Sequence, residues 1–357
     1  MAFVTDPITI NKTVLKNRIT FAPTVKFDYA GEDGKATSKH IEHYKERAMG
    51  GAGLIVVEAT AVTPGGRFGK NHMGLWEDSQ IPGQREITEA CHEHDTPVII
   101  QLNHVGVGAN PECGPAIGPS EHTNWHGTVA RAMTISEIKD MERSFVDAAL
   151  RAKDAGYDGI QLHGCHGYLI NQFVTKNVNK RDDEYGGSVE NRARFGANII
   201  RDIRKECGDD FLISIRTVGA DPDIEDCILV AEEYVKAGCD YLQVSHGMGE
   251  IAKASDFATD KYNTICALGV KFHEHFKGRV PVSCVNSLFT PDDIKYLIEN
   301  DLCDTVDLAR AILADPAFPK AVLEGGEYTP CFKCKACQYG PFTAHKCPAA
   351  FKRGVVQ

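Results

Sequence analysis

The chain has 357 residues, 43% of them hydrophobic and 25% charged, enough core material for two ordinary domains or one large barrel without disulfide staples. A formal charge of -10, with no run of Lys or Arg against it, argues against nucleic acid or an anionic membrane surface as a partner. No uncharged apolar stretch nears the ~20 residues of a membrane span, and the N-terminus carries Asp6 and lacks the apolar core of a secretion signal, so the expected location is the cytoplasm.

In chain order, short β-branched runs alternate with longer amphipathic stretches. RITFAP (18–23), LIVVEA (54–59), PVIIQL (97–102), GIQLH (159–163), LISIR (212–216), YLQVS (241–245), PVSCV (281–285) and TVDLA (305–309) read as eight buried strands. ISEIKDMERSFVDAALRAKDAG (135–156) predicts a helix with Ser136 as its N-cap and Gly156 as its stop, and DIEDCILVAEEYVKAGC (223–239) predicts another. Residues 103–134, rich in Gly, Pro, Asn and His, predict an irregular insertion over a barrel mouth. Continuous rather than alternating apolar strands, each followed by a helix, predict the α/β class and a (β/α)8 TIM barrel. An open doubly wound sheet is disfavoured because no strand leads into G-x-G-x-x-G.

Barrels of this kind carry their chemistry at the C-terminal ends of the strands. The candidates there are Pro23 and Thr24, Ala59, Gln101, His163 with His166 and Tyr168, Arg216, Asn286 and Ser287, and Arg310. Any one of them reads equally well as a solvated loop residue; their convergence on one rim is what points to function. IQLHGCHGYLINQF (160–173) is the densest stretch, with two imidazoles and a phenol within six positions. It does not match a zinc hydrolase, because Gly164 and Cys165 stand where an interleaved Glu is required.

Five stretches resemble the old yellow enzyme family, the FMN-dependent ene reductases: PITINKTVLKNRITFAP, GLIVVEATAVTPGGR, QLNHVG, GYDGIQLHGCHGYLINQFVTKNVNKRDDEYGGSVENRARF and DTVDLARAILADPAFP. Together they cover the chain from residue 2 to about 323. The resemblance implies FMN across the barrel mouth, NAD(P)H as a possible electron donor and a small activated alkene as substrate. It puts Gln101 on the flavin pyrimidine edge, which an amide's donors and acceptor suit. It puts Arg216 near N1 and O2, where positive charge favours the reduced flavin. The phosphate would fall to Asn286-Ser287 and Ala309-Arg310 after strands seven and eight. Family members usually have glycines after both strands, so loop shape is a departure here, while Arg310 keeps the cation. Val25 stands where the family often has a Thr or Cys donating to flavin O4; valine cannot donate, so the potential is expected to lack that contact. The resemblance makes His163 and His166 the pair that binds the carbonyl or nitro oxygen of the alkene, and Tyr168 the proton donor to its α-carbon. A packed rim aromatic is the competing reading of Tyr168.

Thirteen cysteines divide into two groups. Nine scattered between Cys91 and Cys303 read as buried thiols of a reducing compartment. Cys331, Cys334, Cys337 and Cys347 form C-x2-C-x2-C-x9-C-P, which suits a [4Fe-4S] cluster or a structural zinc, with free thiols as a third reading. Similarity in position to the 2,4-dienoyl-CoA reductase and trimethylamine dehydrogenase branch favours the cluster, although that branch spaces its ligands C-x2-C-x3-C-x11-C. The expected organisation is an FMN-binding barrel over 1–325 and a Cys-rich extension over 326–357. A cluster would call for a separate electron-donor protein, such as a ferredoxin or a flavin reductase. A homo-oligomer, first of all a dimer, is expected. The competing functions are an NAD(P)H:acceptor diaphorase or flavin/iron-sulfur electron carrier, and a non-catalytic metal-stabilised flavin-binding module.

Overall fold

The structure, a computed structural model, describes residues 2–27, 29–124, 127–248, 259–339 and 346–353. Eight strands close into a barrel: β1 (Ile19–Phe21), β2 (Leu54–Ala61), β3 (Val98–Asn103), β4 (Gly159–Gly164), β5 (Leu212–Val218), β6 (Tyr241–Ser245), β7 (Val282–Val285) and β8 (Thr305–Leu308). All neighbours are parallel, and β8 closes on β1 with Val306 opposite Ile19. Each predicted strand is present with ends within two residues of the expected ones. The strands are followed in turn by α1 (Ser38–Met49), α2 (Ile81–His92), α3 (Ile135–Asp154), α4 (Val189–Cys207), α5 (Ile224–Lys236), α6 (Thr264–Phe276), α7 (Pro291–Glu299) and α8 (Phe318–Glu324). Covered on both faces, the strands can be apolar throughout, which is why they read as continuous runs. None of the described helices is long and apolar enough to cross a membrane.

Helix α3 corrects one expectation. Its N-cap is Thr134, not Ser136: Thr134 Oγ1 accepts from the Glu137 amide at 3.2 Å, and Glu137 Oε2 accepts from the Thr134 amide at 2.8 Å. A capping box needs Glu three positions after the cap, and only Thr134 has it; Ser136 lies within the first turn. Thr134→Ala should therefore cost about 1 kcal/mol in urea denaturation, while Ser136→Ala stays within about 0.5 kcal/mol of the parent. Helix α5 is capped by Asp223 and ends at Lys236, short of the predicted 239, with Gly238 at φ 108 turning the chain away. The 103–134 insertion contains a small sheet of Ile117–Gly118, His122–Thr123 and Val129–Ala132.

An N-terminal hairpin, Ile8–Ile10 with Thr13–Leu15, plugs one end of the barrel. Its Ile10 and Leu15 pack with Leu54, Val56, Ile99, Leu212 and Tyr241, which come from the first positions of their strands. The lumen is thus dry and apolar at the strand N-termini and turns polar toward the C-termini through Gln101, Gln161, Gln243, Ser283 and Asp307. A polar ligand has one end to enter.

Candidate active site

Strand register sets which side chains share a level. Gln101 lies opposite Gln161, His163 opposite Arg216, and Arg216 opposite Gln243. Side chains alternate along a strand, so these positions face the lumen together with Asn103, Ser245, Ser283 and Asp307.

The histidine turn is built by backbone conformation. β4 ends at Gly164, Cys165 packs into the core, and His166 and Gly167 adopt φ 60 and φ 80 in succession. Glycine suits the second of these left-handed positions because it has no Cβ to clash. The turn brings His166 back over the strand end, where its Nδ1 lies 3.0 Å from His163 Nε2 and its Nε2 lies 2.8 Å from Ser245 Oγ. Burial, reinforced by the Arg216 charge, pushes both imidazoles well below the usual histidine range. Both are therefore neutral, and one donates while the other accepts. Tyr168 follows as the residue preceding the short helix Leu169–Val174, with its ring 4.7 Å from His163 and 4.9 Å from Phe68, centroid to centroid. Burial pushes its phenol up to about 12. His163, Cys165 and His166 bring their ligand atoms within 4.8 Å of one another; Cys165 packs into the core, and burial pushes its thiol up to about 12.

Beside this pair lies a cavity of ≈ 200 Å³ that reaches Arg216, Asp307, Asn286, Ser287 and Arg310. The absence of glycine after β7 does not change the backbone there: Asn286 and Ser287 take φ 87 and φ 58, conformations that favour glycine. Such conformations cost roughly 1–2 kcal/mol for each non-glycine. Arg310 Nη2 lies 3.3 Å from both Asn286 Oδ1 and Ser287 Oγ, which holds the cation at that loop. Ala309 precedes the short helix Arg310–Ala314. On the opposite rim Pro23, Thr24 and Val25 are half-buried. Ala59 is buried, and His72 Nε2 sits 2.6 Å from its carbonyl oxygen.

Several buried polar atoms near the C-terminal ends of the strands lack a partner among the described residues: Thr24 Oγ1, both amide atoms of Asn103, His163 Nδ1, Arg216 Nε and Asp307 Oδ2. Orphans at this density point to a polar ligand. Of these residues Arg216 and Asp307 line the cavity, with the Asn286-Ser287 loop and the Arg310 cation at its edge, a lining that fits FMN, whereas Thr24, Asn103 and His163 are not among its walls. Asn103, Ser245, His246 and Asp307 were missed in the sequence. Period-two alternation would have found Asp307, a carboxylate at a lumen position of an otherwise apolar strand.

The four C-terminal cysteines line one small cavity of ≈ 20 Å³ together with Arg310 and Tyr339. Cys347 packs with Ala314, Ala349 and Ala350, and Tyr339 lies against the barrel with its ring 3.8 Å from Lys26 Nζ. No three of the four sulfurs lie within 4.8 Å of one another. Tetrahedral zinc would hold its sulfurs about 3.8 Å apart. Of the scattered nine, all but Cys113 are buried, in accord with the sequence reading.

Comparison with known proteins places this geometry. Residues 4–328 match the NADH:flavin oxidoreductase / NADH oxidase family. An NADPH dehydrogenase of Bacillus cytotoxicus is 34% identical over 320 residues, 88% of this chain and 90% of that protein. Among solved structures, the old yellow enzyme homologue of Zymomonas mobilis superposes with a TM-score of 0.79 at 26% identity over 93% of this chain and 95% of that one. A 2-naphthoyl-CoA reductase solved with 2-naphthoyl-CoA superposes with a TM-score of 0.87 at 26% identity over 95% of this chain, which spans 55% of that reductase's length.

Proposed function

Because the chain belongs to the NADH:flavin oxidoreductase / NADH oxidase family and is an FMN-dependent NAD(P)H oxidoreductase of the old yellow enzyme type, we propose that it reduces carbon-carbon double bonds activated by a carbonyl, thioester or nitro group. The observation that carries this reading is the neutral His163–His166 pair beside a mouth full of unpartnered buried polar atoms. When bound, FMN supplies a hydride from its reduced N5.

The residues divide the remaining work. Gln101, Arg216, Thr24 and Asn103 hold the isoalloxazine edge; the Asn286-Ser287 loop and Arg310 hold the phosphate; Pro23, Val25, Ala59 and Ala309 line the rim by packing. His163 and His166 receive the substrate's activating oxygen. They do so by exchanging a bond they already make, to each other or to Ser245, and being neutral they make that exchange without moving charge. The oxygen becomes more anionic as the double bond takes up hydride, so these bonds strengthen in the transition state. Tyr168, its phenol kept protonated by burial, gives its proton to the α-carbon and recovers one from water.

The division into a barrel over 1–325 and an extension over 326–357 belongs to the same reading, with Cys331, Cys334, Cys337 and Cys347 as ligands of a [4Fe-4S] cluster. Arg310 lines both the larger cavity and the cysteine cavity, so cluster and flavin would be near neighbours. The stretch from 328 onward holds Lys333, Lys335, Lys346, Lys352 and Arg353 and no Asp or Glu. That local positive charge on an acidic chain suits an acidic electron-donor protein such as a ferredoxin. One observation favours the competing reading of a diaphorase or electron carrier: both ring nitrogens of His166 are already engaged within the chain. Anaerobic mixing of the reduced holoenzyme with 2-cyclohexenone separates the two. Stoichiometric flavin reoxidation and formation of the saturated ketone are expected; a flavin that stays reduced until a quinone or dye is added would defeat the ene-reductase reading.

A further inference from the structure

We propose that Asp307 is a positioning residue for the flavin site: through Gln243 and Gln161 it fixes which end of the Gln101 amide meets the cofactor, and its unpartnered Oδ2 takes up a solvent proton as the bound cofactor is reduced. The inference rests on the reading of this cavity as the flavin site.

Asp307 is 2% exposed. Its Oδ1 accepts from Gln243 Nε2 at 3.0 Å and from Ser283 Oγ at 2.8 Å. Gln243 Oε1 in turn accepts from Gln161 Nε2, and Gln161 Oε1 accepts from Gln101 Nε2 at 2.6 Å. An ionised carboxylate can only accept, so Gln243 has to turn its nitrogen toward it, and each amide in line has to follow. The chain of bonds therefore runs one way across the lumen. It commits the Gln101 nitrogen inward and leaves the carbonyl oxygen for a donor on the ligand. Without the anchor, Gln101 could present either end.

The second oxygen, Oδ2, is buried and has no partner among the described residues, while Asp307 lines the ≈ 200 Å³ cavity. With two donors on Oδ1, a proton adds at Oδ2, and the amide chain survives because the carbonyl oxygen of a neutral acid still accepts. Burial pushes this carboxyl up to about 7, against the opposing pull of Arg216 and the Ser283 bond. The charged and titratable groups facing it are Arg216 from β5 and Tyr241 from β6, whose hydroxyl is tied to Thr305 Oγ1 at 2.6 Å. His166, His246 and Arg310 stand around the same cavity. β1 and β7 contribute only the neutral Thr20 and Ser283 at this level.

The sign follows from these charges. Arg216 favours the carboxylate, whereas the negative charge added by a two-electron, hydride-equivalent reduction favours the acid. At pH values somewhat above neutrality Asp307 is ionised beside the oxidised cofactor and protonated beside the reduced one. One proton then passes from solvent to Oδ2 for every two electrons, which cancels the added charge.

Redox titration of the purified holoenzyme between pH 6 and 9 tests this, with Asp307→Asn and Gln243→Leu as variants and FMN affinity of the apoproteins read by flavin fluorescence. In the alkaline part of that range the parent should take up one more proton per two electrons than Asp307→Asn, which has no carboxyl to protonate and whose amide no longer dictates the direction of the chain. Gln243→Leu breaks the chain and should bind FMN about tenfold more weakly. Equal proton uptake in parent and Asp307→Asn overturns the proton-holding role, and unchanged FMN affinity in Gln243→Leu overturns the positioning role. A parent protein that binds no FMN at all overturns the flavin reading itself, before either variant is compared.

Discussion

Removing both imidazoles, in a His163→Ala, His166→Ala double variant, lowers the rate at which an enone reoxidises the reduced enzyme by about 10²- to 10⁴-fold. The magnitude follows from two hydrogen bonds to an oxygen that becomes anionic, each worth roughly 1.5–3 kcal/mol, with ~1.4 kcal/mol to each factor of ten. Flavin absorbance should be retained, because the pair does not carry the phosphate or the pyrimidine edge. Anaerobic stopped-flow at 450 nm is the measurement. The pH dependence is a second check. Burial and Arg216 hold both rings well below the usual histidine range, so both stay neutral from about pH 6 upward and gain protons only as pH falls well under that. In an Asp307→Asn background, which removes the other group titrating near neutrality, the alkene half-reaction should accordingly be flat from pH 6 to 9. Tyr168 adds no alkaline limb in that window, since its phenol is held up at about 12. Tyr168→Phe should slow reduction of a simple enone by about 10²-fold or more without altering that flat profile. An inflection near the ordinary histidine value would show that the rings are solvated, and the pair would lose its assigned role.

If the proposed cluster is present, protein prepared without oxygen should carry four irons and four inorganic sulfides per chain, and Cys334→Ala should carry none while keeping its FMN. Elemental analysis and the visible spectrum give the answer together: flavin bands over a broad brown shoulder in the parent, flavin bands alone in the variant. One zinc per chain in the parent would establish the alternative. That outcome would also require the sulfurs to close up, since no three of them now approach within 4.8 Å. Removing the cluster should loosen the tail as well, because Cys347 belongs to the small core with Ala314, Ala349 and Ala350. Faster proteolysis after residue 330 in Cys334→Ala would register this.

How much could be read in advance depended on whether a feature was local. The strand TVDLA and the helix after Thr134 are visible in short windows, because burial on both faces and a 3.6-residue repeat leave their marks on neighbouring residues. The cap at Thr134 was within reach too: the Thr-x-x-Glu spacing was there, and Ser136 merely competed with it. The loop at Asn286-Ser287 was harder. Its residue types argued against a left-handed turn, yet both residues adopt one, held from outside by Arg310 twenty-four positions along the chain.

The order of eight strands, the helices between them and the polar residues at the strand ends were thus determined by the sequence alone, since each is a property of a few consecutive residues. Tertiary structure alone decided which of those residues meet. His166 finds Ser245 across 79 positions, Gln243 finds Asp307 across 64, and Arg310 comes to stand between two cavities. Such meetings follow from the register in which eight parallel strands close on themselves, and closure is a condition on the whole sheet that no single segment encodes.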